Sequence, residues 1–198
     1  MATIVTHAIV AAGLYRLSAG PRVPGDGSRW GLAAAGALAI LPDADVAGWN
    51  HVERDTLLWH RGLTHSLAFA VLTGALAAWA LRRRVRHRGG TVALGIALAV
   101  CTATHGVLDA LTDGGSGVGF LMPFSSARTH FAATPIPVAP ISVNPLNRQA
   151  WDCVAVEALL LWPISILVWT AHRPMPWWLR CALFAAVGFS VSQWLRRS

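Results

Sequence analysis

Lysine is absent from this 198-residue chain: all sixteen basic residues are arginine, set against nine acidic ones. The resulting balance of +7 does not form the clustered basic face of a nucleic-acid binder. Arg82, Arg83, Arg84, Arg86 and Arg88 instead punctuate the end of an apolar run, which marks a cytoplasmic loop under the positive-inside rule. No nucleic-acid partner is therefore expected. Charge of either sign is scarce, at 13% of residues, and that excludes an ordinary soluble domain. Cysteine is scarce too. Cys101, Cys153 and Cys181 lie in apolar surroundings without CxxC spacing, so they read as packing residues rather than a disulfide framework or a thiolate zinc site. No internal repeat or low-complexity tract divides the chain, and residues 1–198 read as a single domain.

What the chain has in excess is apolar surface. It is 55% hydrophobic, with mean hydropathy +0.50 and ten tryptophans, the composition of a polytopic membrane protein. The expected fold is all-α, a transmembrane helical bundle of about five to six membrane or re-entrant helices. Six stretches qualify: Thr3–Leu17, Trp30–Leu41, Thr64–Leu81, Thr91–Thr112, Trp151–Ala171 and Trp177–Leu195. The first lacks a basic n-region and reads as a span rather than a signal peptide. The first two are short against the ~20 residues needed to cross hydrocarbon. Trp30, Trp79, Trp151, Trp177, Trp178 and Trp194 sit near predicted ends, as interfacial aromatics do.

Against this background the polar residues stand out. His7, Asp43, Asp45, His60, His65, His105 and Asp109 lie in or against the apolar stretches. An ionisable group at membrane depth costs roughly 2.5–3.5 kcal/mol, so it needs a partner or a cavity. A divalent cation supplies such a partner. With the arginine loop placed in the cytoplasm, alternation of the spans puts all seven near the outer leaflet, with Glu157 beside them.

Local spacing strengthens the reading. His105 and Asp109 are one helical turn apart and share a face, which Asp113 continues. Pro42 ends the second span and leaves Asp43-Ala-Asp45 in a non-helical segment, where alternate residues point the same way. In His60-Arg61-Gly-Leu-Thr64-His65-Ser66, Thr64 or Ser66 caps a helix start, and Arg61 offers a fork to a phosphate oxygen. Alone, His7 would read as a core histidine, and Asp43 and Asp45 as a helix-end turn. Asp26, Glu53 and Asp55 read as solvated loop charges. The mixed imidazole and carboxylate set favours zinc, with manganese or iron as alternatives. Gly114–Ala150 is a long extramembrane loop over the site, rich in glycine and proline. Within it Ser125 and Arg128, together with Arg148, are candidates for gripping phosphate or anchoring at the interface, while His130 reads as a bystander.

The order Thr6-His7, Leu41-Pro42-Asp43-Ala-Asp45, His60-Arg61-Gly-Leu-Thr64-His65-Ser66, His105-Gly-Val-Leu-Asp109-Ala-Leu-Thr112 and Pro123-Phe124-Ser125 resembles the YdjM-like family of bacterial inner-membrane metal-dependent hydrolases, some described as LexA-regulated. The resemblance runs over about residues 1–160, and that family is distantly similar to zinc-dependent phospholipase C. It implies metal-ligand roles for His7, Asp43 or Asp45, His65, and His105 with Asp109, and more weakly for Glu157; His60 is a further candidate from its place among the metal-capable residues. Position 153 is Cys153, so a second His-x-x-x-Glu pair is missing and about two ions are expected rather than three.

The expected function is a membrane-bound hydrolase that cleaves a phosphoester in a phospholipid or isoprenoid-type amphiphile with a metal-activated water. Asp45, His60, Arg61 and Asp113 are the expected catalytic groups, and Arg61, Ser125, Arg128 and Arg148 the expected substrate contacts. The lipid bilayer is the expected partner, and the sequence is silent on oligomeric state. The alternative is a non-enzymatic membrane protein that binds or conducts a divalent cation or protons through the same residues.

Overall fold

A computed structural model describes residues 1–19, 27–54, 56–87, 89–140, 146–171 and 174–197. Asp26, Asp55 and Arg88 lie outside the described residues. The chain forms seven α-helices among these residues: α1 (Ile4–Ala19), α2 (Gly27–Ile40), α3 (Leu67–Leu81), α4 (Gly90–Ala110), α5 (Arg148–Leu160), α6 (Trp162–Thr170) and α7 (Trp177–Arg197). Two 3-10 segments, Leu41–His51 and Leu63–His65, stand between α2 and α3. The loop between α4 and α5 carries isolated bridges, Thr112 to Ile136 and Val118 to Thr129.

Each of the six expected spans has a helix at its position, but few of the described helices cross on their own. Arg29–Gly48 and Gly90–Ala110 are long and apolar enough, and α5 with α6 makes a third if the bent pair is one span. At 16 and 15 residues, α1 and α3 are apolar but shorter. α7 has 21 residues, but Arg180, Gln193 and Arg196 interrupt its apolar sequence.

Proline accounts for both breaks in the long apolar runs. The continuous span expected over Trp151–Ala171 is bent by 47° between α5 and α6. Pro163 lacks an N–H and its ring clashes with the carbonyl four residues back, which is that of Leu159. The hydroxyl of Ser190 on α7 donates to that carbonyl. Pro42 ends α2 in the same way, yet the segment expected to be non-helical is not: it continues as an 11-residue 3-10 helix. Its three residues per turn set Asp43 and Asp45 roughly 120° apart rather than on one face.

The core lies where α1, α2 and α4 meet, around Ala11, Tyr15, Ala35, Ala39, Leu94, Leu98 and Cys101. Small side chains let the helices approach closely, as they do where lipid gives no hydrophobic drive for association. Gly31 is the clearest case, since a Cβ there would lie 1.8 Å from the Tyr15 hydroxyl. α3 packs along α4 and carries Leu67, Val71, Leu72, Leu76 and Trp79 on its exposed side.

Candidate metal centre

Five chain segments meet at the end of α4 that precedes the long loop. α1 supplies His7, the 3-10 helix after α2 supplies Asp43 and Asp45, and the turn before α3 supplies His60, Arg61 and His65. α4 supplies His105 and Asp109, and α5 supplies Glu157. His7, His105, Asp109 and Glu157 are all 0% exposed, a depth that demands a specific partner for every polar atom.

His105 shows how the backbone sets the chemistry. Its Nδ1–H donates to the Ala39 carbonyl at 2.6 Å, an acceptor left open at the end of α2. A carbonyl only accepts, so in the neutral ring the proton is on Nδ1 and the lone pair is on Nε2. That nitrogen lies 3.2 Å from Asp43 Oδ1 and 3.9 Å from Asp109 Oδ2. His65 is oriented in the same sense. The Thr64 hydroxyl donates to Asp45 Oδ2 at 2.6 Å, so it accepts from His65 Nδ1 at 3.0 Å. Nε2 of His65 then faces Asp43 Oδ1 at 3.8 Å and Asp109 Oδ2 at 3.6 Å.

Two lone pairs and two carboxylates thus converge on one space. One donor atom from each of Asp43, His65, His105 and Asp109 lies within 4.8 Å of the others. His65 Nε2, Asp43 Oδ2 and Asp109 Oδ2 are buried without a hydrogen-bond partner, as are both ring nitrogens of His7. Buried polar atoms without partners are rare and each needs an explanation. Acceptors facing acceptors in a buried site repel; the Arg61 guanidinium, with Nε 3.3 Å from Asp109 Oδ2, offsets part of this, and a divalent cation between the donors would remove the rest. The donor set of imidazole nitrogens and carboxylate oxygens fits zinc, manganese or iron(II).

A second group, Asp45, His60 and His65, also places one donor atom each within 4.8 Å. Here the donors bond to one another. His60 Nδ1–H donates to Asp45 Oδ1 at 2.8 Å, and Asp45 Oδ2 accepts from Thr64. This group also lies nearer the surface, with the His60 side chain 10% exposed.

His7 stands behind the inner group. Its ring stacks on that of His105, centroids 3.8 Å apart, and its Nε2 is 3.6 Å from Asp109 Oδ1. Glu157, expected as a late ligand, is buried but turned to the start of the chain. Its Oε1 accepts from Thr3 N at 2.8 Å and its Oε2 from the Thr3 hydroxyl. The neighbouring Ala2 N–H donates to Asp109 Oδ1 at 2.9 Å.

The expected phosphate contacts are placed otherwise. Arg61 is buried, with Nε 3.3 Å from Asp109 Oδ2, Nη1 donating to Gly114 O and Nη2 donating to Thr112 Oγ1. Arg128 donates to the carbonyls of His60, Gly117 and Thr56, and so ties the loop to the histidine turn. Ser125 Oγ accepts from Ala127 N within its own turn, and Arg148 is exposed at the first residue of α5. Asp113 Oδ1 accepts from Val138 N at 2.7 Å, which makes it a loop clip. His130 is exposed in the loop.

Sequence reasoning missed the groups that orient the ligands. The Ala39 carbonyl and the Ala2 amide are backbone atoms and leave no residue-type signal. Thr64 and Thr112 did leave one, since each sits within a histidine or aspartate motif, and Ser66 rather than Thr64 caps α3 by accepting from Phe69 N.

The chain is similar to inner-membrane proteins. The family model described as YdjM inner membrane protein matches residues 1–196. Inner membrane protein YbcI of Escherichia coli (strain K12) is 33% identical over 186 residues, covering 91% of this chain and 99% of that protein. No solved structure matches the chain.

Proposed function

The chain belongs to the YdjM inner membrane protein family, and from that premise we propose that it is a metal-dependent hydrolase acting on a phosphoester of a membrane amphiphile. The observation that carries this reading is the approach of His65 Nε2 and His105 Nε2 to Asp43 Oδ1 and Asp109 Oδ2, with His65 Nε2 and Asp109 Oδ2 buried outside any hydrogen bond. Asp43, His65, His105 and Asp109 hold the cation. It supplies Lewis acidity and a water acidic enough to act as a nucleophile near neutral pH.

The remaining roles belong to the chain's own groups. His60, held through Nδ1 by Asp45 and the most exposed histidine of the cluster, moves a proton at the rim of the site. Because the donors of this outer pair are engaged with each other, the inner group is the tight site. This reading is narrower than the two ions expected from sequence. Leu57, Leu58, Leu121, Phe124 and Phe131 expose apolar surface on the turns and loop that flank the histidine turn. Such a surface seats the rim among lipid headgroups, which supports a phospholipid or isoprenoid-linked phosphate as substrate. The site then opens towards the outer leaflet, as the arginine-rich loop after α3 lies at the opposite end of α4.

The test is hydrolysis of phosphatidate and polyisoprenyl phosphate by detergent-purified protein repleted with zinc or manganese. The reading expects phosphate release that Asp109→Asn abolishes and that a chelator stops. No release from any lipid phosphate, alongside cation flux in proteoliposomes, would establish the transport alternative.

A further inference from the structure

Arg61 was expected to meet substrate, and its placement argues for a different task. The side chain is 2% exposed, so its guanidinium does not reach the rim. All three of its nitrogens face internal oxygens: Nε faces Asp109 Oδ2 at 3.3 Å, Nη1 donates to Gly114 O at 2.6 Å and Nη2 donates to Thr112 Oγ1 at 2.9 Å. Thr112 Oγ1 in turn donates to the backbone carbonyl of Asp109. The guanidinium therefore holds both the carboxylate and the helix end that carries it.

The backbone is shaped for the same purpose. Arg61 has φ +65°, in the left-handed region that residues with a side chain seldom adopt. Such outliers persist where the surroundings over-determine them, and they gather at functional sites. Gly119 N–H donates to the Arg61 carbonyl at 2.8 Å and fixes the turn from the loop side. Gly115, at φ +89°, leaves the space the guanidinium fills: a Cβ there would lie 2.5 Å from Nη1.

Resting on the metal-centre reading above, we infer that Arg61 is a positioning residue, which locks Asp109 so that Oδ2 points into the inner donor group. Ala2 N–H holds Oδ1 from the other side, so the carboxylate is fixed at both oxygens. Outer partners of this kind tune affinity by roughly 10–100-fold when removed. A charge effect has the opposite sign. A guanidinium beside a cation site repels the cation, so if charge were its whole contribution its removal would tighten binding.

The experiment is cobalt(II) titration of the detergent-purified full chain, read by the visible absorption bands of the bound ion. Wild type, Arg61→Lys, Arg61→Gln and Thr112→Val are compared. The inference expects Arg61→Lys and Arg61→Gln to bind cobalt at least tenfold more weakly with shifted bands. Thr112→Val, which keeps the arginine but removes one anchor, moves both readouts less in the same direction. Equal or tighter binding with unchanged bands in all three variants overturns the positioning role while leaving the metal centre in place. Absence of a cobalt spectrum in wild type removes the metal centre itself, and the inference with it. Thr112→Val keeps the arginine turn intact and so decides the matter if the Arg61 variants do not fold.

Discussion

The rings of His7 and His105 stack with centroids 3.8 Å apart and planes 12° from parallel, one brought by α1 and the other by α4. The two histidines nevertheless differ in chemistry. His105 has its Nδ1 proton committed to Ala39 O and its Nε2 aimed into the donor group, whereas both nitrogens of His7 are buried without a hydrogen bond, Nε2 lying 3.6 Å from Asp109 Oδ1. His105→Ala is therefore expected to abolish cation binding. His7→Phe keeps the stacked ring and removes two unsatisfied polar atoms, so the metal-free protein should gain about 1–3 kcal/mol of stability while binding persists. Thermal melts of both variants, with and without zinc, check the contrast.

Asp43 and Asp109 point carboxylate oxygens into one dry space. Without a cation the two charges repel across it, and among the described residues only Asp109 of the two is paired with an arginine, Arg61. Asp43→Asn should raise the melting temperature of the chelated protein and erase the stabilisation that added zinc gives wild type. At a hundredfold excess over Kd that stabilisation is about 2.7 kcal/mol. Equal zinc-induced shifts in the two proteins would contradict the assignment of Asp43 as a ligand.

Chelation should act on the site more than on the helices. The core around Tyr15, Leu94 and Leu98 meets the donor group at Ala39, whose carbonyl accepts from His105 Nδ1, and is otherwise apolar packing. Treatment with a strong chelator is thus expected to lower the melting temperature while leaving the far-ultraviolet circular dichroism recorded below the transition unchanged.

Ser190 tests the account of the α5–α6 bend independently of any metal. Its hydroxyl serves the Leu159 carbonyl freed by Pro163. Ser190→Ala leaves a half-buried acceptor without its hydroxyl donor and should cost about 1 kcal/mol. Metal content should stay at the wild-type value, which separates damage to the fold from damage to the site.

Much of this arrangement was legible in the sequence, for reasons particular residues make plain. His105 and Asp109 were readable as a pair because a helical turn fixes their spacing whatever surrounds them. The membrane class was readable from composition, and the inner-membrane family agrees with it. Asp43 and Asp45 were expected to point the same way from a non-helical segment. They feed two neighbouring groups instead, because the chain after Pro42 winds as a 3-10 helix. Arg61 carries the residue type that grips phosphate, and nothing in its spacing revealed the positive φ and the burial that turn it inward. Glu157 looked like a ligand by its depth in a span, but the Thr3 amide and hydroxyl occupy its carboxylate. Such contacts join the two ends of the chain and have no local signature.

The central claim is that the buried histidines and carboxylates are a metal centre, and elemental mass spectrometry of the purified protein tests it most directly. Wild type, after repletion with zinc, manganese or iron(II) and removal of loose ions, should hold about one equivalent of metal, and Asp109→Asn should hold almost none. Equal metal content in both proteins, or no stoichiometric metal in wild type with any of the three cations, would contradict it.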